Sequence, residues 1–206
     1  MELIVYNIGG KATSKKTKLS DEVFAIEPNE HAVYLDVKQY LANQRQGTSK
    51  TKERPEVNYS TRKMLKQKGT GGARHGSRKA NIYVGGARVF GPQPRDHSFK
   101  LNKKLKLLAR KSILSSKAKE SLITIVEDFT FDAPKTKSYL EFLNAFSFAN
   151  KKTLLILPDV NINVVMSGRN IPNTKVVCAD SVNTYDLVNS DIIFLAESAV
   201  QKLNEL

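Results

Sequence analysis

A basic, glycine-rich segment interrupts an otherwise ordinary globular sequence between Gly47 and Asp96. These fifty residues, the basic segment, hold twelve Lys or Arg, three acids and eight of the chain's eleven glycines, and they carry a formal charge of +9. Only twelve of the fifty are apolar, too few to build a core that offsets the entropy lost on ordering. Such an insertion in a compact domain is either disordered or functional, and its charge favours contact with a polyanion.

The rest of the chain has the composition of one folded domain. Its 156 residues are enough for a single hydrophobic core. The net charge of +13 is concentrated between Asn43 and Lys111, where nineteen basic and three acidic residues give +16, so the remainder is slightly acidic. We therefore predict one globular domain formed by residues 1–46 and 97–206, with residues 47–96 inserted in it as an extended arm.

Membrane and secreted classes fit the sequence less well. No apolar run approaches the ~20 residues of a membrane-spanning helix, and glycine interrupts the basic segment too often for an amphipathic membrane-binding helix. The N-terminus, MELIVYNIGG, lacks the apolar region of a secretory signal. The single cysteine, Cys178, gives no disulfide framework and fits a reducing cytoplasm, the compartment that we predict.

Strands and helices are predicted to alternate after Ser121. Four short apolar runs lack polar alternation, as strands buried on both faces do, and helical segments separate them. The runs are Leu122–Val126, Leu154–Leu157, Val176–Cys178 and Ile192–Leu195, and the helices are Thr136–Phe148, Asn161–Arg169, Asn183–Asn189 and Glu197–Leu206. This order predicts an α/β fold, a mainly parallel sheet with flanking helices in a Rossmann-like three-layer body.

The N-terminal half is predicted to add one strand and two long helices. Leu3–Ile8 has the pattern of a strand, and Lys11–Lys18 that of a polar turn region. Asn29 is a suitable N-cap for the first long helix, and Leu101–Lys119 forms the second, with a basic face. The apolar stripe predicted for the first helix contains Val33, Val37, Tyr40 and Leu41.

Acidic residues follow the predicted strands, and two interpretations of them are open. Parallel sheets bind ligands at the carboxyl ends of their strands. Asp128, Asp159 and Asp180 are therefore candidates for the active site of an α/β enzyme that acts on RNA. Asp at a strand-to-helix turn more often caps the next helix. No other catalytic set, metal or cofactor is predicted, because the three histidines are scattered and Gly71–Ser77 lacks the lysine of a phosphate-binding loop.

The basic segment and its flanks contain the residue types that bind RNA. Glycine lets the backbone approach a phosphate–sugar surface, lysine neutralises phosphates, and arginine grips phosphate or stacks on bases. Tyr83 and Phe90 are suited either to stack on unpaired bases or to pin the segment's own base. The predicted RNA-binding residues are Arg45, Lys50, Lys52, Arg54, Arg62, Lys63, Lys66, Lys68, Gly69, Thr70, Gly71, Arg74, His75, Ser77, Arg78, Lys79, Tyr83, Arg88, Arg95, Lys103, Lys104 and Arg110.

Several motifs occur in a specific order along the chain. They are Arg45-Gln46-Gly47-Thr48, Lys66-Gln67-Lys68-Gly69-Thr70-Gly71, Phe90-Gly91-Pro92 and Arg110-Lys111-Ser112. With the order and spacing from Met1 to the end, they resemble the L-four family of large-subunit ribosomal proteins, of the bacterial type. The resemblance implies a structural, non-enzymatic constituent of the large ribosomal subunit that binds its ribosomal RNA and supports subunit assembly and translation.

The resemblance also implies where the basic segment goes. It would pass through large-subunit ribosomal RNA to the wall of the nascent-peptide exit tunnel, with Lys68, Gly69 and Thr70 near the wall. There it would meet large-subunit ribosomal protein twenty-two, close to the nascent peptide. Some family members bind the messenger leader of their own operon, which leaves a free-standing messenger regulator as an alternative. Leu65 and Tyr83 stand where Trp is usual in the family, and Gly72 where Arg is usual.

Overall fold

A computed structural model describes residues 1–205 of the chain. By its internal contacts the chain divides into two compact units, one formed by Met1–Leu41 with Lys100–Leu206 and the other by Ala42–Phe99. We call the first unit the body. The expectation that residues 47–96 form an extended arm inserted in one domain stays a prediction.

The six strands of the described chain form one mixed sheet that is parallel except at one edge. In chain order they are β1 (Glu2–Tyr6), β2 (Ala12–Lys18), β3 (Ile123–Val126), β4 (Thr153–Leu157), β5 (Thr174–Cys178) and β6 (Ile192–Ala196). Their order in the sheet is β2-β1-β3-β6-β4-β5. β2 pairs antiparallel to β1, and all other neighbours are parallel. The predicted mainly parallel sheet is confirmed.

Helices connect and flank these strands. They are α1 (Asp21–Phe24), α2 (Glu30–Asn43), α3 (Lys103–Lys119), α4 (Thr136–Ala145), α5 (Ile162–Gly168), α6 (Thr184–Asn189) and α7 (Glu197–Asn204). Every predicted helix after Ser121 is present, with ends that differ by up to three residues. The predicted end of α7 at Leu206 lies outside the described residues. The α/β class is therefore confirmed.

The core of the body is built around the two central strands β4 and β6. Both are buried at every position, which explains why their sequences show no polar alternation. Phe194 of β6 lies between Phe142 and Phe146, with ring centroids 5.1 Å away in each case, in the tilted and edge-on geometries that aromatic pairs favour. Tyr139 is fully buried beside Phe142, and this burial raises the pKa of its hydroxyl above the ordinary value.

The prediction of a polar turn region at Lys11–Lys18 is wrong, because Ala12–Lys18 forms β2. This strand lies at one edge of the sheet and is largely exposed, so neither of its faces needs apolar side chains. The hydroxyl of Thr13 donates to the carbonyl of Val5 at 2.7 Å, in addition to the backbone pairing. An edge strand of this composition has no hydrophobic periodicity that would reveal it.

The predicted cap of α2 is confirmed, but its predicted apolar stripe is not the buried face. The side-chain oxygen of Asn29 accepts from the backbone N–H of Ala32 at 2.9 Å. The buried residues of the helix are Ala32, Asp36 and Gln39, whereas Leu41 is exposed. Asp36 accepts a 2.6 Å hydrogen bond from the Thr184 hydroxyl of α6, so a specific polar partner makes its burial tolerable.

Candidate nucleic-acid interface

Residues 44–99 contain no helix or strand, and backbone hydrogen bonds fold them back on themselves. The bonds that join the outgoing and returning limbs are nested and measure 3.0–3.1 Å. They run from Arg95 N–H to Gly47 O, Thr51 N–H to Pro92 O, Arg88 N–H to Lys52 O and Met64 N–H to Gly76 O. Residues 65–75 therefore form the turn of this hairpin, and every residue from 61 to 74 is exposed.

Gly47 closes the base of the hairpin. Its φ of +64° lies in the left-handed region, and a Cβ at this position would overlap the carbonyl oxygen of Arg95. Beside it is a pocket of about 860 Å³ lined by Arg45–Ser49, Gly91–Arg95 and His97. Partial burial and the neighbouring Arg45 and Arg95 lower the pKa of His97, because each of them disfavours the protonated imidazole.

The predicted cations are mostly on the surface. Those that are exposed are Arg45, Lys50, Lys52, Arg54, Arg62, Lys63, Lys66, Lys68, Arg74, Arg78, Arg88, Arg95, Lys103 and Lys104. Gly69, Thr70 and Gly71 are also exposed, at the turn of the hairpin. The partly buried members of the predicted set are His75, Ser77, Lys79, Tyr83 and Arg110. Lys103, Lys104 and Arg110 belong to the body, on α3.

Very few of these cations have an acidic partner. Residues 42–99 contain thirteen Lys or Arg and three acids, a net charge of +10. In the part of the chain that the structure describes, Lys50 is the one cation of the basic segment with an ion pair, to Glu56 at 2.5 Å. Their hydrogen bond raises the pKa of Lys50 and lowers that of Glu56. The charge of Lys52 also lowers the pKa of Glu56, and the other cations have few acids near them to offset their mutual repulsion.

Tyr83 and Phe90, which the sequence did not distinguish, have different environments in the structure. Phe90 is fully exposed, and its φ of +54° is uncommon for a residue with a side chain. Tyr83 is partly buried, and its ring lies 5.5 Å from that of His75 within the same unit. Val84 is fully exposed and Ile82 nearly so, and the predicted site omitted both. The sequence signal for these two residues was their apolar character in a segment that is otherwise polar and rich in glycine.

The acids at the strand ends do not form an active site. Asp128 accepts from the backbone N–H of Ser198 at 3.2 Å and from its hydroxyl, so it caps α7 rather than the next helix along the chain. Asp159 pairs with Lys202 at 2.7 Å, and Asn161 caps α5 in its place. In residues 1–205, no three His, Cys, Asp or Glu are grouped to hold a metal. Nor does any helix there have the length and apolarity to cross a membrane.

A mainly parallel α/β body joined in one chain to a strongly basic, glycine-rich hairpin with exposed cations is suited to bind a polyanion such as RNA. The sequence matches the ribosomal protein L4/L1 family over residues 17–206. It is 58% identical over 206 residues to the large ribosomal subunit protein uL4 of Cytophaga hutchinsonii and to that of Porphyromonas gingivalis, covering 100% of this chain and 99% of each relative. It is 55% identical over 205 residues to that of Flavobacterium psychrophilum, covering 100% and 98%.

The chain therefore belongs to the ribosomal protein L4/L1 family, and the resemblance to the bacterial type is confirmed. It is a structural protein of the large ribosomal subunit, and hence of the cytoplasmic ribosome of bacteria. The interpretation of Asp128, Asp159 and Asp180 as an enzyme's active site is wrong, because this family is a structural, non-enzymatic component of the ribosome.

Proposed function

We propose that the basic segment and the start of α3 bind large-subunit ribosomal RNA, and that the protein supports subunit assembly and translation through this binding. The observation that carries the proposal is the set of exposed cations without acidic partners in residues 42–99. Phosphates would relieve the repulsion among these cations, and release of the counterions condensed on RNA would drive the association.

The first turn of α3 supports the same proposal. It begins with Lys103 and Lys104, contains no acid, and follows Asn102, whose side chain makes no capping hydrogen bond. Cations at this end oppose the helix dipole in the free protein. A phosphate group bound there would offset the repulsion between the lysines and the positive end of the helix dipole. The lysines and the free backbone N–H groups would both attract it.

The aromatic residues divide into two roles under this proposal. Phe90, fully exposed, stacks on an unpaired base of the RNA. Tyr83, packed beside His75, holds the returning limb of the hairpin in place. Arg78 lies 5.6 Å from the ring of Tyr59, so the guanidinium plane is already held and offers a second stacking surface.

We place the turn of the hairpin at the wall of the nascent-peptide exit tunnel. Lys68, Gly69 and Thr70 lie at the middle of the turn, as far along the chain from the hairpin base as the segment allows. At that position they would face the nascent peptide and meet large-subunit ribosomal protein twenty-two. The messenger leader of the protein's own operon is a further RNA that the same cations would suit.

Salt dependence of RNA binding tests the main proposal. We expect the affinity of the whole chain for a large-subunit RNA transcript to fall ~10³–10⁵-fold between 50 and 200 mM salt if about 6–10 phosphates are neutralised. Replacing Lys63, Lys66, Arg74 and Arg78 by Gln should lower the slope of log affinity against log salt by about 3. A slope unchanged by these four substitutions would refute binding through the basic segment.

A matched variant controls for net charge. Replacing Lys16, Lys119, Lys135 and Lys137 by Gln removes the same charge from exposed positions of the body. We expect this variant to keep the slope of the wild-type chain within about 1. If the slope of log affinity against log salt falls equally in both variants, binding depends only on the net charge of the chain. That result would exclude a specific RNA interface in the basic segment.

The tunnel placement has its own test. Lys68→Glu places a negative charge at the middle of the turn, and we expect it to change the sensitivity of ribosomes to macrolides that bind the tunnel. Lys137→Glu is the control, because this lysine is exposed in the body. Normal assembly with unchanged macrolide sensitivity in the Lys68→Glu ribosomes would reject the placement while leaving RNA binding intact.

A further inference from the structure

A groove of about 500 Å³ lies in the body at the carboxyl ends of the parallel strands. It is lined by Asp128–Thr130, which follow β3, and by Leu157–Asn163, which follow β4. In the sheet these two strands flank β6, so their loops border the space above its end. Val160 and Ile162 are 71% and 70% exposed there. Both are large aliphatic side chains in solvent, and they give the groove an exposed apolar lining.

Carboxylates follow the strands at this edge of the sheet and form what we call the acidic rim, of which Asp128 and Asp159 line the groove itself. Glu127 and Asp128 follow β3, Asp159 follows β4, and Asp180 follows β5. Glu197 follows β6, and Lys15 reaches both Glu127 and Glu197, at 3.5 and 3.9 Å. Asp159 is paired with Lys202. The carboxylate of Asp180 has no ion pair with any residue that the structure describes. Carboxylates therefore outnumber cations at this edge.

The charge at this edge is opposite to that of the basic segment, and it decides what can bind. Phosphates of an RNA backbone would be repelled by the carboxylates and would gain nothing from Val160 and Ile162. A basic polypeptide would be attracted, because lysine and arginine pair with the rim while an apolar side chain fills the groove. The apolar lining also includes Phe129 and Pro158, so the anchor would contact protein on several sides.

We infer that this groove docks a basic peptide segment of another protein, one that carries an apolar anchor side chain between lysines or arginines. Val160 and Ile162 contact the anchor, Asp180 pairs with a flanking cation, and Asp159 pairs with another in exchange for Lys202. The start of α5, which carries Ile162, is held in place by Asn163, whose side-chain amide donates to the carbonyl of Phe131 at 2.7 Å. This docking is independent of RNA binding by the basic segment, since all the residues involved belong to the body.

The first test identifies the occupant in assembled ribosomes. A photoreactive benzoylphenylalanine replaces Val160, large subunits are purified and irradiated, and the cross-linked peptide is sequenced by mass spectrometry. We expect a peptide in which lysines or arginines surround an apolar residue. Cross-links to ribosomal RNA, or to a peptide without clustered cations, would overturn the inference.

The second test measures binding with a defined probe. A fluorescein-labelled twelve-residue peptide of Lys and Arg with one central Leu is titrated against the purified whole chain and followed by anisotropy. The double variant Val160→Ser with Ile162→Ser should weaken binding about tenfold or more, since both side chains are buried in the complex. Asp159→Asn with Asp180→Asn should weaken binding severalfold and reduce its dependence on salt.

Two controls keep the result specific. Val188→Ser removes a similar side chain, 43% exposed on α6, and should leave the affinity unchanged. A probe peptide with Ser in place of the central Leu should bind the wild-type chain as weakly as the original probe binds the double variant. Equal affinities of the wild-type chain and the Val160/Ile162 variant for the leucine probe would overturn the inference, because cations alone would then explain binding.

Discussion

Strands β4 and β6 are buried at every position, whereas residues 61–74 are exposed at every position. The body has a continuous apolar core, with the rings of Phe142, Phe146 and Phe194 in mutual contact. In residues 42–99 the buried apolar residues are Val57 and Ala87. Backbone hydrogen bonds between the limbs and a glycine at the base shape this second unit instead.

The difference shows that a single chain can separate the residues that build a stable core from those that stay exposed. Burial of apolar surface stabilises the body without any partner. The second unit buries little, and its exposed side chains are the ones that we propose to contact RNA. Substitutions in the body should therefore affect folding, and substitutions in the basic segment should affect binding.

The largest contrast is expected between two phenylalanines. Phe194→Ala should lower the free energy of unfolding by about 3–5 kcal/mol, because it leaves a cavity among packed rings. Phe90→Ala should change it by less than about 0.5 kcal/mol, because the ring is fully exposed. Urea unfolding of the purified chain measures both. Equal losses for the two variants would show that the basic segment is part of the same folded core.

Two ion pairs give the next contrast. Asp186 is 5% exposed, pairs with Lys175 at 2.6 Å and also accepts from the side chain of Asn183. Asp186→Ala should lower the free energy of unfolding by about 1–3 kcal/mol, because it removes a buried charged acceptor from its hydrogen bonds with Lys175 and Asn183. Glu56→Ala, which removes the exposed partner of Lys50, should leave the unfolding curve where it is. A larger effect at Glu56 than at Asp186 would contradict the division between the units.

Removal of the hairpin is expected to matter less to folding than either body substitution. Replacing residues 61–88 by a short Gly-Ser linker should shift the melting temperature of the body by less than about 3 °C. Circular dichroism follows the melt, and loss of RNA affinity in the same protein confirms that the deletion took effect. A body that unfolds on deletion would show that it depends on the basic segment for stability.

The smallest effect concerns the reactivity of Cys178. Burial and the carboxylates of Asp159 and Asp180 raise the pKa of this thiol, while Lys202 lowers it. The thiolate fraction at pH 8 should therefore be smaller than for a free cysteine, and alkylation by iodoacetamide slower. Asp159→Asn removes one of the groups that raises the pKa, so the alkylation rate at pH 8 should increase. Glu141→Gln, an exposed site on α4, is the control and should leave the rate unchanged.

The fold was predictable where an element is buried enough to require a recognisable pattern of apolar residues. Three of the four continuous apolar runs became β3, β4 and β6, which are mostly or wholly buried, and the fourth became the partly buried edge strand β5. The edge strand β2 and the buried face of α2 were not predictable. The first has little buried surface, and the second depends on the hydrogen bond between Asp36 and Thr184, residues 148 apart in the chain.

The candidate site was predictable in its charge and only partly in its geometry. Lysine and arginine in a glycine-rich segment are exposed almost by necessity, since an unpaired charge is costly to bury. The distinct environments of Tyr83 and Phe90 arise from contacts that the sequence does not show, such as that between Tyr83 and His75. Asp128 caps α7 through Ser198, which is 70 residues away in the chain, so no local sequence motif predicts this contact.

The exposed edge strand β2 has a further consequence for the life of the protein before it enters a subunit. A free sheet edge offers unpaired N–H and C=O groups on which a second copy could add its own strand and begin an aggregate. β2 carries Lys15, Lys16 and Lys18 along this edge, and no apolar residue other than Ala12. Like charges on two approaching copies would repel, so the same strand that completes the sheet also disfavours edge-to-edge pairing of two free chains.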